Sequence, residues 1–159
     1  MVNVLIRPMQ PPDVAPCAAI ISSTLLWQRY GVTPQSAVDT LSAALTGDGV
    51  LLVATLADDP DPDAARGFVW IAPRGAFGRS GYIRWIAVDE TRRGTGIGLV
   101  LLTAAEAYVR QIATDIFLVC ADYNVDAQRF YDRNGYTQVG IIPDYAVPGV
   151  AELIYRKRL

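Results

Sequence analysis

The sequence predicts a single α/β domain: a mixed sheet with helices on both faces, its elements in the order β-α-α-β-β-β-α-β-α-β-β. Three observations predict it. Short apolar runs of strand length alternate with helical stretches through all 159 residues, with no internal repeat, low-complexity segment or linker between them. The stretch from Gly81 to Ile112 runs from a strand through a glycine-rich loop directly into a helix. Asp115 to Ala121 (DIFLVCA) is an essentially continuous apolar run, as in a strand covered on both faces. A chain of this length buries a proper core as one domain, residues 1–159.

Val2 to Arg7 reads as the first strand. Pro11-Pro12-Asp13 opens a helix from Asp13 to Leu26, since Pro and Asp suit a first turn. Trp27 to Gly31 is a break rich in aromatic residues, and Thr33-Pro34 starts a second helix, Gln35 to Leu45, that ends at Gly47-Asp48-Gly49. Val50 to Ala57 and Gly67 to Ala72 are partner strands. The acidic, proline-broken loop between them, Asp58 to Asp63, is expected to be solvated and mobile. Pro73 to Ser80 reads as a loop and Tyr82 to Val88 as the next strand. In the helix beyond the glycines, Thr103, Glu106 and Arg110 form one polar stripe, the pattern of a helix packed on a sheet. A helix joins the Tyr82 and Asp115 strands, so they should lie parallel through a right-handed crossover. Asn124 to Asn134 is a helix with Ala127, Phe130 and Tyr131 on one face and Gly135 supplying its left-handed end. Thr137 to Ile142 and Val150 to Arg158 close the chain as antiparallel strands.

Strand, glycine loop and helix N-terminus together suit an anionic phosphate. The first helical turn has unpaired N–H groups and a positive dipole end, and glycines admit close approach to the backbone. Spacing then narrows the choice. A Walker A loop needs GxxxxGK[ST], and the chain's lysine is Lys157, far from the loop. The dinucleotide fingerprint is GxGxxG, whereas Gly94, Gly96 and Gly98 run GxGxG with no acidic residue at the expected distance. Arg-x-x-Gly-x-Gly, filled by Arg93, Gly96 and Gly98 behind the strand end Ala87-Val88, fits.

Composition excludes other chemistries. The chain has no histidine, which removes Ser-His-Asp and Cys-His nucleophiles and most zinc sites. Proton transfer therefore falls to carboxylates, tyrosines, backbone groups or water. A net charge of −2 provides no basic field for a nucleic-acid backbone. No apolar run approaches membrane-spanning length, and Met1 to Arg7 lacks the length and basic start of a signal peptide, so a cytoplasmic protein is expected. Cys17 and Cys120 read as two reduced, buried thiols.

The glycine loop resembles motif A of the GNAT superfamily of acyl-CoA-dependent N-acetyltransferases. A second motif, Asn124-x-x-Ala127-x-x-Phe130-Tyr131-x-x-x-Gly135-Tyr136, is similar to that family's Asn-x-x-Ala-x-x-Phe-Tyr-x-x-x-Gly-Phe helix. The resemblance covers essentially the whole chain. It implies a mostly antiparallel sheet splayed between its fourth and fifth strands, with acetyl-CoA (coenzyme A) laid into the gap. Ile86, Ala87 and Val88 would then bond the pantetheine amides, with the Ile86 N–H polarising the acetyl carbonyl. The loop of Arg93, Gly94, Thr95, Gly96, Ile97 and Gly98 would cradle the pyrophosphate, Arg92 or Arg93 would add charge, and Asn124 would touch the pantetheine arm. Tyr131 matches the acid that protonates the departing thiolate; packing beside Phe130 is the other reading.

The implied reaction is direct attack of a small-molecule or amino-acid-like amine on the thioester. A protein N-terminus or lysine, or a non-catalytic acyl-CoA sensor, are the alternatives. Many relatives carry a glutamate base in the fourth strand, where this chain has Tyr82 and Arg84; Asp89, Glu90, Asp122 or a water chain remain for that role. The acceptor would meet Trp27, Tyr30, Arg84 and Tyr145, with Arg84 either pairing an acceptor carboxylate or standing as a surface residue on a bulged strand. A homodimer through the last two strands is a further expectation carried by the resemblance.

Overall fold

The computed structural model describes residues 2–159; Met1, the start of the amino-terminal run, lies outside them. The strands are β1 (Val4–Pro8), β2 (Val50–Leu56), β3 (Gly67–Ala76), β4 (Ser80–Val88), β5 (Asp115–Ala121), β6 (Thr137–Ile142) and β7 (Glu152–Arg158). They form one sheet in the order β1-β2-β3-β4-β5-β7-β6, antiparallel at every junction except the parallel β4–β5 pair. The helices are α1 (Val14–Ser22), α2 (Leu25–Arg29), α3 (Pro34–Leu45), α4 (Ile97–Arg110) and α5 (Val125–Arg133).

Period-two alternation along the strands feeds two cores. On one face Phe68, Val53 and Leu51 meet Cys17 and Ile21 of α1 and Leu41 of α3. On the other, Val69, Ile71, Ile83, Ile116 and Leu118 meet Ile97, Leu101, Ala105 and Val109 of α4. α4 is thus the helix laid across the sheet, and most of these side chains are wholly buried. Each buried Val, Leu, Ile or Phe among them contributes about 1.5–3 kcal/mol of transfer free energy. Along β5 the pattern is buried on the α4 face and half-buried on the other. The opposite face, expected to be fully covered, is partly open.

Five local expectations need correction. The helix expected from Asp13 to Leu26 is two helices. The Ser23 and Thr24 hydroxyls donate back to the Ile20 and Ile21 carbonyls, Thr24 turns extended at φ −94°, and Leu25 starts again. The expected aromatic break at Trp27 is therefore helical. The loop expected at Pro73 to Ser80 is mostly strand: β3 runs through a bulge to Ala76, and only Phe77 to Arg79 turn, with Phe77 and Gly78 left-handed at φ 56° and 64°. Glu106 does not join an exposed stripe; it is buried, and Lys157 Nζ of β7 donates to it at 2.8 Å. The acidic loop is tied down as well. Asp59 accepts from Arg66 at 2.7 and 2.9 Å and from Arg92 at 3.1 Å, and Arg7 donates to the Asp63 carbonyl.

Gly81 shows how closely α4 seats on β4. A Cβ there would lie 2.5 and 2.6 Å from the Val109 methyls and 3.1 Å from its Cβ, with the branched side chain itself buried. Gly81→Ala should therefore destabilise the fold by about 1–3 kcal/mol, read as a lower urea midpoint at unchanged slope. An unchanged midpoint would show that α4 yields at this contact.

Candidate active site

β4 and β5 share only two register pairs, Gly81↔Ile116 and Tyr82↔Phe117, and then diverge. β4 remains paired to β3 up to Val88, so its other edge is open beyond Tyr82. A bulge falls at Arg84, since Trp70 faces Trp85 while Ile71 faces Ile83. Past it, the Asp89 N–H donates to Arg66 O at 2.9 Å, on the β3 side of the strand. Alternation then points the backbone groups of Ile86 and Val88 into the gap and those of Ala87 toward β3. The Ala87 carbonyl in fact lies 2.8 Å from where a Gly67 Cβ would sit. Of the three residues expected to offer backbone bonds, Ala87 is turned away.

At the end of β4 the chain enters the glycine loop. Asp89 accepts from the Thr91 N–H and hydroxyl and shapes the turn, and Thr95 Oγ1 donates to Arg92 O at 2.6 Å. Gly94 and Gly96 have φ of 76° and 93°, conformations that L side chains rarely adopt. Gly96 caps α4 without a side-chain partner, so the N–H groups of the first turn, from Ile97 and Gly98 onward, open outward. Arg92 is held by Asp59, while Arg93 is exposed and only loosely paired to Glu90 at 3.8 Å. Arg93 is the guanidinium free to meet an anion here. An open strand edge leading to a bare helix N-terminus fits a thin amide-bearing arm that ends in a pyrophosphate.

Between the diverging strands lies a cleft of about 250 Å³. Ile86, Asn124 and Tyr131 border it, and so do Trp27, Tyr30, Arg84, Tyr145 and Glu152. Asn124 caps α5 through its Oδ1, which accepts from the Ala127 N–H at 3.3 Å. Its side-chain NH2 donates to no protein group among the described residues and is left for the cleft. Tyr131 is 7% exposed, packed among Phe130, Tyr136 and Tyr155 with ring centroids 5.4–5.8 Å away. Burial pushes its phenol well above the usual range, so it stays protonated.

The four expected acceptor residues converge on the same cleft. Trp27 lies 6.0 Å from Tyr30 and 5.4 Å from Trp85, and Trp85 is edge-on to Trp70 at 5.7 Å. The Arg84 guanidinium sits 5.2 Å above the Trp70 ring and makes no ion pair among the described residues. Tyr145 is 66% exposed at the rim. Of the acidic residues open to a base role, Asp89 shapes the turn, Glu90 is on the loop, and Asp122 accepts from the Ala151 N–H at 3.2 Å; none of them borders the cleft.

The carboxylate in the cleft is one that the sequence reading missed. Glu152 opens β7, in register with Ala121 of β5, and is 3% exposed. The Tyr30 hydroxyl donates to its Oε1. The available signal was a lone acidic residue at the mouth of the apolar closing strand, ahead of Leu153, Ile154 and Tyr155.

The chain matches the model of the "Acetyltransferase (GNAT) family" over residues 23–136. It is 28% identical over 142 residues to the mycothiol acetyltransferase of Rhodococcus erythropolis, covering 86% of this chain and 47% of that protein. It is 33% identical over 91 residues to the blasticidin-S acetyltransferase of Streptomyces morookaense, covering 53% and 66%. The chain thus spans about half to two thirds of the length of these curated relatives. Among solved structures, one from Desulfovibrio desulfuricans assigned to the same family superimposes with a TM-score of 0.82 at 22% identity, covering 98% of this chain and 99% of that one. An aminoglycoside 6'-N-acetyltransferase complexed with coenzyme A gives 0.77 at 15% identity, covering 97% and 96%. At these identities the superpositions speak for the fold.

A thiol nucleophile does not fit this site. Burial pushes Cys17 and Cys120 up to about 12. The thiolate fraction at pH 8 is then on the order of 10⁻⁴. Both thiols of the folded chain should react with an aromatic disulfide reagent far more slowly than after denaturation. Fast labelling of Cys120 at pH 8 in the native protein would reopen the question of an acyl-cysteine.

Proposed function

This chain belongs to the acetyltransferase (GNAT) family, and we propose that it transfers the acetyl group of acetyl-CoA to the primary amine of a small, amino-acid-like acceptor by direct attack. The observation that carries this reading is the cleft at the β4–β5 divergence. It brings an open strand edge, a protonated buried tyrosine and a second, aromatic and charged wall to one place. When bound, acetyl-CoA supplies an activated thioester. The chain's own residues do the rest.

The edge of Ile86 and Val88 orients the pantetheine arm, with Asn124 across the gap. The first turn of α4, from Gly96 to Gly98, and Arg93 hold the pyrophosphate. The Ile86 N–H, fixed in the sheet, meets the negative charge that develops on the acetyl oxygen; a pre-oriented donor costs no reorganisation at that moment. Tyr131 donates its proton to the departing sulfur. With both thiols protonated and no histidine present, the acyl group passes straight to the amine.

Two features favour a small zwitterionic acceptor. Arg84 is re-aimed by the bulge to the rim of the cleft, where its guanidinium can take a carboxylate while the amine reaches the thioester. Two relatives are named for mycothiol and blasticidin-S, both small molecules.

Release of free CoA thiol from acetyl-CoA, across amino acids, peptides, alkylamines and aminoglycosides, tests the reading. Turnover should depend on one acceptor class, and Tyr131→Phe should cut kcat on the order of 10²-fold with acetyl-CoA affinity little changed. An unaffected kcat would return Tyr131 to packing, and failure to bind acetyl-CoA by calorimetry would sink the whole assignment. Arg84→Ala should raise KM for amino acids about 10-fold or more and leave the corresponding alkylamines unchanged. Equal effects on both would remove the carboxylate from the acceptor.

A further inference from the structure

Glu152 is a charged side chain buried at 3%, yet it borders the cleft and makes no ion pair among the described residues. Burying a carboxylate without a cation is costly. Its protein donor among the described residues is the Tyr30 hydroxyl, which reaches it from the end of α2. Behind Tyr30, the Tyr123 hydroxyl is buried without a partner of good geometry, and Arg29 covers the Tyr123 ring at 4.0 Å. The carboxyl group is thus buried at the cleft, held by one hydroxyl donor and without a protein cation among the described residues. That is an arrangement completed by a cation from outside.

We propose that Glu152 is the acceptor-binding base: it takes the ammonium group of a small primary amine and removes one of its protons before attack. This deepens the acetyl-transfer reading and rests on it. The protons balance. The acceptor arrives as R–NH3⁺ and gives one proton to Glu152. The neutral nitrogen forms the N–C bond as the thioester carbonyl becomes an oxyanion. Collapse breaks the C–S bond: Tyr131 gives its proton to the departing sulfur, and the nitrogen's second proton returns Tyr131 to its protonated state. One proton in all is left over and passes from Glu152 to solvent.

The surroundings leave no rival for this role. The groups facing Glu152 are Tyr30 from α2, Tyr82 and Arg84 from β4, Cys120 from β5 and Tyr123 from the loop that follows it. Burial raises all three tyrosines and the cysteine thiol, so none is a base at neutral pH. No other carboxylate borders the cleft among the described residues. Tyr30 is a positioning residue toward the base: its hydroxyl donates to Glu152 and fixes the carboxylate. Its ring, with Trp27 and Trp85, supplies a face on which a cation can rest.

The test uses the whole chain, acetyl-CoA and a panel of amino acids, amino-acid amides, alkylamines and aminoglycosides. Calorimetry with acetyl-CoA alone comes first; absence of binding overturns the family-site reading, and this inference falls with it. With binding intact, wild-type turnover should show an acid limb in kcat, and Glu152→Gln should lower kcat on the order of 10²-fold or more and abolish that limb while binding acetyl-CoA as before. Glu152→Asp, which keeps a carboxylate, should restore part of the rate and the limb. Tyr30→Phe should keep the limb at a reduced rate. Three results overturn the proposal: wild type that binds acetyl-CoA but acetylates no amine in the panel, wild type without an acid limb, or Glu152→Gln with the wild-type pH profile.

Discussion

The structure depends on a backbone debt left between two strands. β4 and β5 start as parallel neighbours and lose each other after two register pairs, so the N–H and C=O groups of Ile86 and Val88 face open space inside an otherwise continuous sheet. Unpaired backbone at the centre of a sheet must be satisfied by water or by something that behaves as a strand. Other features of the site lie along that opening. α4 caps one end of it with an open first turn, α5 and its cap bring Tyr131 and Asn124 to the cleft, and β7, beyond β5, adds Glu152.

What holds the opening apart is the shape of β4 itself and the way α4 packs on it. The bulge at Arg84 changes the direction of β4, and Gly81 lets Val109 press α4 onto the sheet just before the strands part. β5, for its part, is paired along its full length with β7, from Asp115↔Arg158 to Ala121↔Glu152. The two halves of the sheet are each well formed, and the gap is the seam between them.

The parts legible in the sequence were those whose chemistry is short-range. The left-handed glycine at Gly135 and the helix before it, which carries Ala127, Phe130 and Tyr131, are set by spacing along the chain, and the structure has both; that Asn124 caps this helix is added by the structure. The parts that were not legible need partners far apart in sequence. Spacing alone leaves Arg92 and Arg93 as equal candidates; Asp59, 33 residues earlier, holds Arg92, which leaves the loop's charge to Arg93. Glu152 acquires its meaning from Tyr30, 122 residues away, and from the order β5-β7-β6, which carries the last strand inward beside the cleft. No local pattern distinguishes an inward Glu at a strand start from an outward one. The longer β3–β4 hairpin was hidden for a related reason: Pro73 and Gly75 read as breakers, and a bulge absorbs them.

The aromatic row on the acceptor side also has a spectroscopic side. The chain's three tryptophans, Trp27, Trp70 and Trp85, all belong to it, with neighbouring rings 5.4 and 5.7 Å apart. Indoles at that separation couple their transitions, so the tryptophan fluorescence and the tryptophan part of the near-ultraviolet dichroism originate in one small region. Two of the three line the cleft and the third lies beneath Arg84. The unlabelled protein therefore carries a built-in optical reporter of what enters the acceptor wall, largely blind to events at the glycine loop.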